Sequence, residues 1–124
     1  MSTVEDIVNI EALLVSYLST HFNVEGVPVS TDVPAERPAR FITLERTGGG
    51  RSARIIDSPA VAIQCWGVTR SDALFLANEV VWMLEKCEAL SPVTSIEIDS
   101  MYNFPDLKGR HPRYQVVAHI VTAN

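Results

Sequence analysis

The chain has 124 residues, 47% hydrophobic and 20% charged, with a net charge of −5 and a pI near 5.1. A chain of this length fits one domain and buries roughly two-thirds of the surface its unfolded form exposes, so its core needs neither metal nor disulfide. The acidic balance argues against general nucleic-acid binding, and two cysteines set in apolar runs, Cys65 and Cys87, are neither a disulfide framework nor a metal knuckle.

Met1 to Asp6 carries two acids and no Lys or Arg, so no signal peptide is expected. No apolar run approaches membrane-spanning length, and a cytoplasmic site of synthesis and use follows as an expectation. Ile7, Ile10, Leu14, Tyr17 and Leu18 recur at three- and four-residue steps, which predicts an amphipathic helix from about Val4 to Thr20. Thr3 is its expected N-cap, and Glu5, Asp6 and Glu11 suit the positive end of the helix dipole. Gly26 and Pro28 bar continuation, and Val27 to Thr31 reads as a short edge strand.

Pro34 and Pro38 hold the next connection extended. Arg40 to Arg46 alternates, as does Ala60 to Trp66, which predicts two paired strands. Thr47 to about Pro59 between them is expected to be a long, flexible loop around Gly48, Gly49 and Gly50. Thr69 with Asp72 marks the start of a second helix that runs to about Leu90, with Ala73, Ala77, Val80, Leu84 and Cys87 on its buried stripe. Ser91-Pro92 ends it. Val93 to Asp99 alternates as a strand, a loop with Asn103, Pro105, Gly109 and Pro112 follows, and Arg113 to Thr122 is a strand apolar on both faces. The order is α-β-β-β-α-β-β. It predicts an α+β fold: a mostly antiparallel five-stranded sheet with two helices packed mainly on one face.

No side-chain constellation reads as catalytic. His21, His111 and His119 lie apart in sequence, no Gly-x-Ser-x-Gly elbow surrounds a serine, and Glu97, Asp99 and Asp106 read as solvated acids rather than metal ligands. The glycine run lacks the Gly-Lys-Ser/Thr ending of a phosphate loop and lies between strands.

Charge is the informative pattern. Five of the ten basic residues, Arg37, Arg40, Arg46, Arg51 and Arg54, fall between Arg37 and Arg54 against one acid, Glu45. That segment is net +4 in a chain of −5, which leaves −9 for the rest. A basic arm on an acidic body predicts docking onto copies of itself or onto acidic neighbours, as against scattered surface arginines; in a ring, the arm would meet Glu5, Asp6 and Glu11 of a neighbour's first helix in a head-to-tail contact.

Three stretches carry a resemblance. One is Asp32-Val33-Pro34-Ala35-Glu36-Arg37-Pro38-Ala39-Arg40-Phe41 continuing to Glu45-Arg46-Thr47-Gly48-Gly49. Another is Asp57 and Pro59 followed by Ile63-Gln64-Cys65-Trp66-Gly67. The third is Asp106, Gly109 and Pro112-Arg113-Tyr114. In order and spacing the chain resembles the tail-terminator family of long-tailed bacteriophages, in particular the branch from phages of actinobacteria. The resemblance implies a non-enzymatic virion protein of the tail neck, assembled in the host cytoplasm without cofactor or metal. It implies a homo-hexameric ring on the last ring of tail tube protein, which ends tube polymerisation and docks the head-side connector. DNA would pass through the lumen without specific binding. Arg37, Arg40, Arg46, Gly48, Gly49, Gly50, Arg51 and Arg54, with Glu5, Asp6 and Glu11, are the expected contact residues. Other expectations are a neighbouring neck protein (head-closure or tail-completion), a small cytoplasmic enzyme, or a DNA-binding accessory protein that uses the arginine arm.

Overall fold

The computed structural model describes residues 8–53 and 56–123. Helix α1 (Ile10–Phe22) and a 3₁₀ turn (Asn23–Glu25) lead into β1 (Val29–Ser30), β2 (Phe41–Ala53) and β3 (Ile56–Trp66). Helix α2 (Arg70–Lys86) and a second 3₁₀ turn (Cys87–Ala89) precede β4 (Val93–Asn103) and β5 (Arg113–Ala123). The strands form one sheet in the order β1-β2-β3-β5-β4. β1 runs parallel to β2 and every other pair is antiparallel, so the fold is α+β with a mixed, mostly antiparallel sheet. Among the described residues, no helix is long and apolar enough to cross a membrane.

α1 starts later than its sequence pattern suggests. Asn9 is the N-cap, its side-chain oxygen accepting from the Ala12 N–H at 3.1 Å. Ile10, Leu14, Leu18 and Phe22 then recur every fourth residue and are all buried. Thr3, the expected cap, lies outside the described residues, as do Glu5 and Asp6, so Glu11 is the one predicted contact acid found within the helix. Gly26 closes the following turn in the left-handed region at φ 71°. In α2 the cap is as expected: the Thr69 hydroxyl accepts from the Asp72 N–H at 3.1 Å. Asp72 returns the contact by accepting from the Val68 N–H at 2.9 Å, one residue earlier than a regular capping box.

One face of the sheet supplies Ile42, Leu44, Val61, Ile63, Val116 and Ile120 to a single core shared with both helices. α1 packs against β1 and β2, and α2 against β3, β5 and β4. The Tyr17 hydroxyl donates to the Met83 carbonyl at 2.7 Å and ties the helices together.

The long loop expected between Thr47 and Pro59 is a strand ladder instead. Gly48 pairs with Ala60, Gly49 with Pro59, Gly50 with Ser58 and Arg51 with Asp57, leaving only residues 54–55 between the strands; these lie outside the described residues. Glycine disfavours strands on its own, but β3 is already held by β5 as far as Ile56↔Ala123 and templates the ladder. The register shift between Arg46 and Gly48 hides the extension from a period-two reading, because a bulge moves the later residues out of phase. β4 likewise runs on to Asn103, past the expected end at Asp99, after a shift between Ile98 and Ser100.

Candidate functional site

Among the described residues, Arg37, Arg40 and Arg46 pair with three different carboxylates rather than forming one basic patch, and Arg46 and Arg37 pin the two ends of the β2–β3 hairpin.

At the tip end, the Arg46 guanidinium forks onto the Asp57 carboxylate, with Nη1 at 2.6 Å and Nη2 at 2.8 Å. Its Nε donates to the Gly48 carbonyl at 3.0 Å. The hydrogen bond with Asp57 raises the already high Arg46 pKa, against a smaller opposing effect of burial. Glu11 reaches the same place from α1, and its carboxylate accepts from the Arg46 backbone N–H at 2.9 Å. β1 pairs only with Ile42 and Thr43, so this N–H on the outer edge of β2 would otherwise have no strand to bond. Gly49 sits at φ 91°, where a Cβ would lie 2.1 Å from the Ser58 carbonyl oxygen. Only glycine fits that approach.

At the other end of the hairpin, Phe41 and Trp66 are buried and stacked, with centroids 4.9 Å apart. They lie on the sheet face away from the helices. His111 meets both rings edge-on at 5.5 and 5.4 Å. Arg37 and Arg113 lie over the Trp66 ring at 5.1 and 4.7 Å, and Arg113 also covers Phe104 at 4.3 Å. Arg37 pairs with Asp106 at 2.9 Å. That bond, helped by the Gly109 N–H, holds the Asp106 carboxyl below its usual pKa, while burial lowers the pKa of Arg113. The 31–40 connection is thereby strapped over this face. Thr31, Asp32 and Val33 roof a cavity of about 230 Å³ whose floor includes Thr43, Glu45 and Gln64.

Arg40 goes elsewhere: its Nε meets both Asp72 oxygens at 3.1 Å, at the start of α2. Arg37, Arg40 and Arg46 therefore each have an ion-pair partner within the chain. Gly48 and Gly50 have open space where a Cβ would project. Arg51 lies in β2, and Arg54 lies outside the described residues.

Cys65 and Cys87 are buried and not disulfide-bonded, and desolvation pushes the Cys65 thiol far above its ordinary pKa, unlike an activated nucleophile. Asp99 contacts the His119 ring, while Asp106 is engaged by Arg37. Sequence reading missed both the aromatic stack and a cluster of His21, Glu25 and Glu79. The sequence signal for the stack is that Phe41 and Trp66 both lie within the stretches that carry the resemblance. The cluster had one signal, the i,i+4 spacing of His21 and Glu25.

No protein-family model matches the chain, and no curated protein matches it.

Proposed function

We propose that this chain is a structural subunit of a phage tail neck, a tail terminator that closes into a homo-hexameric ring on the last ring of tail tube protein. The ring ends tube growth and offers the head-side connector a docking surface. The reading rests on the sequence resemblance, and the observation that carries it on the structural side is the outer edge of β2. Beyond Thr43 no described strand pairs with that edge, and Gly48, Gly49 and Gly50 leave it bare of side chains. An edge without a neighbouring strand is a template for a strand from another chain. β4 ends the sheet on the opposite side, so each subunit has two different edges, as a head-to-tail ring requires.

The internal ion pairs of Arg37, Arg40 and Arg46 shift the contact role toward the glycine backbone, Arg51 and Arg54. Glu11 works within its own subunit, so a neighbour's arm meets Glu5 and Asp6 rather than Glu11. The residues that carry the resemblance also meet one another: Arg37 with Trp66 and Asp106, Arg46 with Asp57, and Gly49 with Pro59. The acid-rich remainder suits a lumen through which DNA slides without adhering.

The test is negative-stain microscopy of particles assembled without this gene product. Headless tails of uncontrolled length are expected. Normal tails beside emptied heads would move the protein to the head side of the neck, and ordinary virions would refute a neck role. A Gly48→Glu/Gly50→Glu variant, whose added Cβ atoms would project into open space, is expected to fold and fail to cap tails.

A further inference from the structure

α1 ends and α2 passes it at a cluster of three donor side chains. His21 lies in the last turn of α1, Glu25 in the 3₁₀ turn that follows, and Glu79 on α2. His21 Nε2 is 3.0 Å from Glu25 Oε2 and 2.7 Å from Glu79 Oε2. One donor atom from each residue fits within a span of 4.8 Å. The second Glu79 oxygen, Oε1, is fully buried and has no hydrogen-bond partner. A buried carboxylate oxygen left without a donor costs free energy unless something positive meets it.

The arrangement is short of positive charge. Two carboxylates converge on one imidazole, and the Arg40 guanidinium pairs with Asp72. We propose that His21, Glu25 and Glu79 bind one zinc-class divalent cation that cross-links the end of α1 to α2. An imidazole nitrogen with two carboxylate oxygens is a borderline donor set that favours zinc over magnesium or calcium, which prefer oxygen alone. Tetrahedral zinc at about 2.1 Å from each donor needs donors about 3.4 Å apart, so modest rotamer adjustments open the cluster enough. His21 and Glu25 are partly exposed, which admits the ion and leaves a coordination position for water. The site is independent of the ring reading.

Trp82 supplies a reporter, since its ring lies 5.8 Å from the His21 ring. The metal-stripped, untagged full chain is titrated with zinc chloride near neutral pH by calorimetry, and its thermal unfolding is followed with zinc or excess magnesium. One equivalent of zinc is expected to bind and raise the melting temperature, with magnesium inert. Cobalt(II) is expected to quench Trp82 emission, and a Trp82→Phe variant to bind zinc equally but lose that quenching. Glu25→Gln and His21→Gln each weaken zinc binding about 10-fold or more. Glu25→Gln alters a surface turn and keeps the test valid if His21→Gln fails to fold. No heat and no thermal shift with zinc, or equal affinity in Glu25→Gln, would overturn the proposal.

Discussion

The Arg46–Asp57 pair allows a quantitative test of what holds the hairpin. Asp57 is only 5% exposed, and both its oxygens face guanidinium donors at 2.6 and 2.8 Å. Hydrogen bonds to charged groups contribute about 1.5–3 kcal/mol each. The Arg46 side chain, however, is 32% exposed, so water screens part of that interaction. Asp57→Asn is therefore expected to cost about 2 kcal/mol. Arg46→Met removes the guanidinium from both oxygens of a buried carboxylate and is expected to cost more, about 3 kcal/mol, near the lower end for a broken buried pair. The double variant removes both charges and is expected to cost about 3 kcal/mol, well short of the sum, for a coupling near 2 kcal/mol. Urea unfolding of the four proteins at neutral pH measures the cycle, and repetition at about 1 M salt should leave the coupling largely intact because the contact is short and partly buried. Additive single effects, or coupling abolished by salt, would refute the view that this pair pins the hairpin.

Three further outcomes follow from the same geometry. Gly49→Ala should destabilise by at least about 2 kcal/mol in urea unfolding, because it combines a positive φ with a backbone clash, whereas Gly50→Ala should stay within about 0.5 kcal/mol of the parent; equal effects would contradict the close approach at Ser58. The lowered Asp106 pKa gives stability that is complete above the unfolded-state pKa near 3.8 and is lost as pH falls through the lower folded value, so Asp106→Asn should flatten the acid limb of the stability profile below about pH 4; an unchanged limb would count against the Arg37 contact. Glu11→Ala should cost about 1–2 kcal/mol and speed hydrogen exchange at the Arg46 amide, and unchanged exchange there would show that α1 does not cap the β2 edge.

Periodicity made much of this fold legible. The expected stripe of Ala73, Ala77, Val80, Leu84 and Cys87 is buried, although α2 ends at Lys86 and Cys87 opens the 3₁₀ turn, and the capping pair Thr69 and Asp72 marks the observed helix start. What stayed hidden depends on tertiary partners. Gly48, Gly49 and Gly50 look like loop residues until β5 is seen to hold β3 in place beside them. Arg37, Arg40 and Arg46 read as one basic run because they are neighbours in sequence, yet their carboxylates come from Asp106, Asp72 and Asp57, on three different segments. Glu79 lies 58 residues from His21, so no local spacing announces their contact.

The hairpin is also a ruler. From Ile56 beside the tip to Trp66 in the aromatic stack, β3 spans ten residue steps, about 33 Å at ordinary strand rise. Two macromolecules that engaged opposite ends of this strand need not collide, because the glycine stretch and the residues that cover the buried stack lie that far apart. Leu107, 84% exposed in the loop beside the stack, is a place to attach a fluorophore through Leu107→Cys, since both native cysteines are buried. Such a label reports on events beside the stack without touching the glycine end of the hairpin.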